Sequence, residues 1–216
     1  APRLTPALVS HMRLFVSGSA PLLAETHRQW QDRTGQIILE RYGMTETNMN
    51  TSNPYAGERR AGTVGQPLPG IEVKVCDPAG HELPRGQVGV IEVRGPNVFQ
   101  GYWQMPDKTR EELRDNGFFI TGDLGVMGVD GYVTIVGRAK DLVISGGFNI
   151  YPKEVEDLLD AQPGVSESAV IGVPHPDFGE AVVAVVVVEK GLALNLTDLR
   201  AALARAAGRP LLLPHF

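Results

Sequence analysis

The apolar run Ile37-Ile38-Leu39 breaks off into Arg41-Tyr42-Gly43-Met44-Thr45-Glu46. A short buried strand that delivers an arginine, an aromatic face, a glycine, a hydroxyl and a carboxylate leaves few architectures open. Open α/β sheets present their ligand-contacting groups at the carboxyl ends of strands. What precedes the run fits that scheme. Arg13 to Val16 reads as a strand ending in Ser17-Gly18-Ser19-Ala20-Pro21. Leu22 to Thr34 reads as a helix, with Leu22, Leu23, Thr26 and Trp30 near one face and Gly35 in the C-cap position. Strand, helix and strand in that order predict a parallel pair at the edge of an α/β layer. The polar groups suit a nucleotide carrying a second anionic substrate: Tyr42 for a base, Thr45 for a phosphate oxygen, Glu46 for Mg2+, Arg41 for a carboxylate. A plain polar strand-to-helix turn satisfies the same letters.

Further along, the style of the chain changes. Thr51 to Gly70 is rich in Asn, Gly, Pro and Arg, which predicts a covering loop. Ile71 to Cys76, Gln87 to Arg94, Phe118 to Ile120 and Tyr132 to Val136 read as short strands, with turns at Asp77-Pro78-Ala79-Gly80 and Asp130-Gly131. They predict a small β-barrel or sandwich over about residues 65–138, beside an α/β layer over 1–50. Charges from Arg138 to Asp141 interrupt this pattern, so residues 1–139 are expected to form a larger domain and 140–216 a small α+β domain. The latter reads as a strand Leu142 to Ser145, a turn at Gly146-Gly147, a helix Pro152 to Ala161, strands Ser168 to Val173 and Ala181 to Glu189, and a helix Thr197 to Ala207.

Composition excludes several classes. A net charge of -5 offers no basic footprint for nucleic acid. The longest apolar stretch, Ala181 to Val188, falls well short of the roughly 18 residues a membrane span requires. The single Cys76 rules out an internal disulfide framework and fits a reducing, cytoplasmic compartment. His11, His27, His81, His175 and His215 lack metal-ligand spacing, and Trp30 and Trp103 read as packing residues.

Four polar punctuations recur at expected strand ends: Ser17 to Pro21, Arg41 to Glu46, Thr121-Gly122-Asp123, and Gly137-Arg138 with Lys140-Asp141. Written as a series they are Tyr-Gly-x-Thr-Glu, a near form of Gly-x-x-Gly-x-x-x-Pro-Gly over Gly62 to Gly70, Thr-Gly-Asp-Leu, and Gly-Arg-x-Lys-Asp with Ser-Gly-Gly-Phe-Asn. In that order, from about Arg13 to about Ala207, the series resembles the acyl-adenylate-forming superfamily. The resemblance implies a two-step reaction with ATP, Mg2+ and CoA. A carboxylate oxygen first attacks the α-phosphorus of MgATP and pyrophosphate leaves. The CoA thiol then attacks the carbonyl carbon of the acyl-AMP and AMP departs. Such chemistry rests on positioning and charge neutralisation more than on a protein nucleophile.

The resemblance also implies roles. Thr45 at the α-phosphate and Glu46 at Mg2+ would be the catalytic pair. Tyr42 would stack on adenine beside Gly43, with Gly18, Ser19, Ala20 and Pro21 lining the purine. Asp123 and Arg138 would hold the ribose. Lys140 would be the hinge between domains, and Ser145, Gly146 and Gly147 would line the pantetheine arm of CoA. Within the superfamily, Glu40 to Met49, Ser52-Asn53-Pro54-Tyr55 and Glu58 to Gly65 are similar to malonate-activating synthetases. A small dicarboxylic acid, malonate or methylmalonate, needs a receptor for its spare carboxylate. Arg41 is the first candidate, with Ser17 as hydroxyl partner and Arg59 and Arg60 as second choices.

Two family parts fall outside the chain: a phosphate loop upstream of Ala1 and a lysine in a Gly-Lys setting downstream of Phe216. The chain as written is therefore expected to be a poor catalyst or an inactive one. The tail from Gly208 to Phe216, with three consecutive leucines, departs from the family pattern and is expected to be altered or truncated. The alternatives are a synthetase for another short or medium acid and a non-catalytic nucleotide-binding remnant.

Overall fold

The structure, a computed structural model, describes residues 4–206. The tail from Gly208 onward lies outside the described residues. The chain divides into two compact units, Ala1–Ile135 and Val136–Phe216.

In the first unit, a one-turn helix α1 (Pro6–Val9) leads to β1 (Val16–Ser17). Helix α2 (Ala24–Thr34) then connects β1 to β2 (Leu39–Met44). The two strands pair in parallel, Val16 opposite Leu39 and Ser17 opposite Glu40, as the strand–helix–strand succession requires. Gly35 ends α2 in a left-handed conformation (φ 70°), its amide donating to the Gln31 carbonyl at 2.8 Å. The inward face of α2 carries His27 and Thr34, with Leu23 and Trp30 half-buried, whereas Thr26 is exposed. Positions 23, 27, 30 and 34 follow the helical period, so the face is turned by one residue from the expected one. Trp30 packs edge-on against Phe15, ring centroids 4.7 Å apart.

The strand β2 does not stop before the polar motif, as the sequence reading expected, but runs through it to Met44. It then turns back as an antiparallel hairpin with β3 (Asn48–Ser52). Two features allow this. A side chain at Gly43 would place Cβ 1.8 Å from the Asn48 carbonyl oxygen, so only glycine lets the strands approach there. The Thr47 amide donates to the Met44 carbonyl at 3.2 Å, and Asn48 adopts φ 53°, closing the turn. β4 (Gln66–Pro67) adds to β3, giving a sheet of order β1-β2-β3-β4. Between β3 and β4 the chain is tied by side chain-to-backbone bonds. Asn53 donates to the Glu40 and Thr63 carbonyls and accepts from the Arg60 amide. Such bonds satisfy backbone groups that no ladder pairs.

A second sheet follows, ordered β5 (Glu72–Cys76), β6 (Val88–Arg94), β7 (Phe119–Met127), β8 (Val133–Arg138), with helix α3 (Pro106–Glu112) between β6 and β7. It is an open sheet rather than the expected barrel, its end strands β5 and β8 lying at opposite edges. Closing a filled barrel takes about five to eight strands. Val73, Val75, Ile91, Val93, Met127 and Val133 form its core, and Tyr42 and Val64 pack against them. Fully buried Glu92 sits in this layer between Lys74 Nζ (3.2 Å) and Arg114 Nη2 (2.6 Å). Trp103, expected to pack, is instead 86% exposed. It follows Tyr102 in the irregular stretch before α3, where Gln104 takes φ 54°.

The second unit is a small α+β layer. A sheet of order β10 (Phe148–Ile150), β9 (Val143–Ser145), β12 (Gly179–Val188), β11 (Val165–His175) carries helices α4 (Pro152–Asp160) and α5 (Leu196–Ala206). Pro152 occupies the first turn of α4, where its missing N–H is harmless. Val155 and Leu159 of α4 and Leu199 and Leu203 of α5 meet Val143, Val170, Val182 and Ala184 of the sheet in one core. Among the described residues no helix is long and apolar enough to cross a membrane.

Two expectations about stability follow. Gly43→Ala forces the Asn48 backbone to move and should lower the unfolding free energy by about 1–3 kcal/mol or more, read from denaturant midpoints. Glu40 is 4% exposed, with His27 Nε2 4.0 Å from Oε1. Burial raises its pKa from 4.5 to about 7, partly opposed by a backbone hydrogen bond at Gly62. Between those values the folded chain keeps a proton that the unfolded chain has released. Stability should therefore fall as pH rises from 4.5 to about 7, by ~3 kcal/mol in total, and level off above. Midpoints for Glu40→Gln should lose that slope.

Candidate functional site

Tyr42 and Asp123 stand 81 residues apart in sequence and are joined by a hydrogen bond, the Tyr42 hydroxyl donating to Asp123 Oδ2 at 2.5 Å. Strand β2 brings the tyrosine and β7 brings the aspartate. Thr121-Gly122-Asp123 is not a turn beyond a strand end, as the sequence reading had it, but a bulge inside β7. Ile120 pairs with Glu92 and Leu124 with Val90, so three residues face Ile91 alone. The Thr121 hydroxyl donates to the Ile91 carbonyl at 2.8 Å and accepts from the Asp123 amide at 3.1 Å. Gly122 takes φ 72°, a conformation that a side chain would strain. The bulge holds Asp123 at 5% exposure with a carboxylate oxygen on Tyr42.

The Ser17 to Pro21 stretch lies beside Arg41. A Cβ on Gly18 would touch Arg41 Cγ at 3.4 Å, and Ser17 pairs with Glu40 in the parallel register. Ser19 is held at φ 70°, a left-handed value that for a non-glycine residue costs roughly 1–2 kcal/mol. Gly18, Ser19, Ala20 and Pro21 are all exposed. Among the described residues the exposed guanidinium of Arg41 donates only to a soft acceptor, Met49 Sδ, at 3.0 Å. The second-choice arginines are occupied otherwise. Arg59 donates to the carbonyls of Pro54, Tyr55 and Ile37, and Arg60 pairs with Glu58 and Asp130 over the Tyr132 ring. Arg59 serves the loop's own structure, because a polar loop without ladder bonds needs donors for its carbonyls, and Arg60 ties the loop to Asp130.

Thr45 and Glu46 occupy the tip of the β2–β3 hairpin, Thr45 exposed and Glu46 half-buried. Glu46 Oε1 accepts from the Tyr102 hydroxyl at 3.0 Å, and the Glu46 carbonyl accepts from the Phe99 amide at 2.8 Å. Asn97 Nδ2 donates to the carbonyls of Thr47 (2.6 Å) and Met49 (3.1 Å). Sequence reasoning missed Asn97 and Tyr102. They sit about fifty residues beyond the hairpin, where no periodicity links them to it. The Gly101-Tyr102 pair after a strand was the one signal available.

Arg138, Lys140, Ser145, Gly146 and Gly147 belong to the second unit. Exposed Arg138 ends β8, and Lys140 lies in the single 3-10 turn Ala139–Asp141 that follows. Ser145 is buried and pairs with Phe148 across a two-residue turn. That turn needs positive φ at both central positions, which Gly146 (57°) and Gly147 (83°) supply. The Gly146 amide donates to the Phe178 carbonyl at 2.9 Å. Among the described residues no group of three or more His, Cys, Asp or Glu side chains could hold a metal ion. A single carboxylate such as Glu46 still suits Mg2+, which commonly takes one or two carboxylates and completes its shell with water and substrate phosphates.

Comparison with known proteins bears on the whole chain. The model of the AMP-binding enzyme family matches residues 3–103, and that of the AMP-binding enzyme C-terminal domain matches residues 154–214. A malonate–CoA ligase of Arabidopsis thaliana is 43% identical over 82% of this chain and 29% of its own length. A long-chain-fatty-acid–CoA ligase of Escherichia coli is 43% identical over 80% of this chain and 31% of its own. The crystal structure of ATP-bound MatB from Rhodopseudomonas palustris superposes with a TM-score of 0.95 at 61% identity, over 99% of this chain and 42% of that one. The chain thus spans less than half the length of the relatives it matches. With both family models matched in order and the fold shared with MatB, the chain belongs to the AMP-binding family of adenylate-forming enzymes.

Proposed function

We propose that this chain carries the AMP-binding part of an ATP-dependent, AMP-forming acid–CoA ligase whose acid is a small dicarboxylate, malonate or methylmalonate. The observation that carries the proposal is the Tyr42–Asp123 bond, which joins the two residues that nucleotide recognition needs from separate sheets. In this reading Asp123 accepts from the ribose hydroxyls, the Tyr42 ring faces the adenine beside Gly43, and Ser17 to Pro21 border the purine. Thr45 donates to the α-phosphate. Glu46 contributes one carboxylate oxygen to Mg2+, which offsets phosphate charge as the acid oxygen attacks. No protein nucleophile is required, since the acid itself attacks the α-phosphorus and pyrophosphate is the leaving group.

Lys140 is the proposed hinge between a domain ending at residue 139 and the small domain beyond it. Residues at an element's end commonly absorb such rotations. Ser145, Gly146 and Gly147 would then border the pantetheine arm, the glycines allowing close approach of a narrow ligand. The acid is the finer question, because the relatives include ligases named for malonate and for long-chain fatty acids. Arg41 decides for a dicarboxylate in our reading. Its guanidinium is exposed beside Ser17 and Gly18 and carries no carboxylate partner among the described residues, while Arg59 and Arg60 are committed to the loop. A reducing, cytoplasmic setting fits the single buried free thiol of Cys76.

Two measurements test the reading. Isothermal calorimetry with AMP should give binding that Asp123→Ala weakens roughly 10- to 100-fold, as loss of a hydrogen bond to a charged group predicts. In the complete protein that carries this segment, Arg41→Ala should lower kcat/KM for malonate by roughly 100-fold and leave butyrate nearly unchanged. Equal losses for both acids would count against the dicarboxylate.

A further inference from the structure

The hydroxyl of Tyr102 stands between two carboxylates. It donates to Glu112 Oε2 at 2.6 Å and to Glu46 Oε1 at 3.0 Å. Lys108 Nζ closes the far side by donating to Glu112 Oε1 at 2.6 Å. A phenol has one proton to give, so the two carboxylates share it, and the lysine offsets the charge on Glu112. Burial and these two acceptors hold the Tyr102 hydroxyl well above the usual phenol range, which keeps it a donor.

The ring that carries this hydroxyl is fixed from several directions. Phe99 meets it edge-on with centroids 4.8 Å apart, and the Tyr102 amide donates to the Thr109 hydroxyl at 2.9 Å. The same segment grips the β2–β3 hairpin by its backbone on both sides of Glu46, through Phe99 to Glu46 and through Asn97 to Thr47 and Met49. The Glu46 side chain bonds Tyr102 and no other described residue. A half-buried glutamate on a hairpin tip would otherwise sample several rotamers, and holding one of its oxygens leaves the other with a defined direction.

We propose that Tyr102, seated between Glu46 and Glu112, is a positioning residue that fixes the rotamer of the Glu46 carboxylate toward the cation and phosphates of the nucleotide. This rests on the reading of Glu46 given above. Tyr102 touches neither nucleotide nor metal in this account; it acts through Glu46. Glu112 and Lys108 on α3 set the phenol in turn, so the helix between β6 and β7 acquires a task that its exposed, charged sequence does not announce.

The test uses the complete protein that carries this segment and compares Tyr102→Phe, Glu46→Gln and the double variant. Two readouts are needed: ATP affinity by calorimetry with and without Mg2+, and the Mg2+ concentration for half-maximal pyrophosphate exchange. Tyr102→Phe should weaken ATP binding only when Mg2+ is present and raise the Mg2+ requirement roughly tenfold, with KM for the acid unchanged. Adding Tyr102→Phe to Glu46→Gln should change nothing further, because both act on one carboxylate. If Glu46→Gln shifts both readouts and Tyr102→Phe shifts neither, the positioning role is wrong while the reading of Glu46 stands. If Glu46→Gln is itself silent, the reading of Glu46 falls and the positioning role with it. Should Tyr102→Phe fail to fold, Glu112→Gln replaces it with the same two readouts, and an unchanged Mg2+ requirement there overturns the proposal.

Discussion

Tyr42 belongs to both sheets of the larger unit at once, and the site depends on that double membership. Its backbone is part of β2, its ring packs on the core formed by Val73, Val75, Ile91 and Val93, and its hydroxyl reaches the bulge in β7. An aromatic side chain is suited to this, combining a large apolar surface with one polar handle. The consequence is geometric. Groups on two separately built sheets are held in register by one side chain, so Asp123 and the residues of β2 keep a fixed relation. Removing the hydroxyl would take from the Asp123 carboxylate, at 5% exposure, its bond to β2.

The larger unit handles its buried acids in opposite ways. Glu92 is matched inside the sheet by Lys74 and Arg114. Among the described residues Glu40 has no cation nearer than the His27 ring at 4.0 Å, and burial shifts it toward the neutral form instead. His27 Nε2 is itself 3.1 Å from the Ile38 carbonyl, which draws the ring proton away from Glu40 when that nitrogen carries it. Between Glu40 and Glu46 on the same hairpin lies Arg41, which no carboxylate holds among the described residues. Glu40 is shifted toward its neutral form by burial, and Glu46 is tied to Tyr102.

How far the sequence could be read depended on whether a feature was local. The helix ending at Gly35, the parallel pair it connects, the strands of the second sheet and the α4 helix beginning at Pro152 all carry their cause within a few residues, and all were legible. Two features near the site were not. Arg41 to Glu46 and Thr121 to Asp123 look like turns because they are polar and contain glycine, yet both lie in strands or at a hairpin tip. In each case glycine serves a close approach or a bulge, a requirement set by the partner strand and not by the chain's own neighbours. The expected barrel failed for a similar reason, since strand spacing reveals how many strands follow one another but not whether the outer two meet.

The same distinction explains why the tasks of individual arginines escaped the sequence. Arg41, Arg59 and Arg60 fall within twenty residues and are chemically equal, so letters alone rank them only by distance from the motif. Their partners separate them. A guanidinium that spends its fork on three backbone carbonyls, as Arg59 does, holds a loop together and has little left for a ligand. One bound to two carboxylates and stacked on Tyr132, as Arg60 is, has already met its counter-charge. Among the described residues Arg41 has met only a thioether sulfur, a weak acceptor for a strong donor. The loops elsewhere satisfy themselves, so that of the three arginines only Arg41 lacks a carboxylate or carbonyl partner among the described residues.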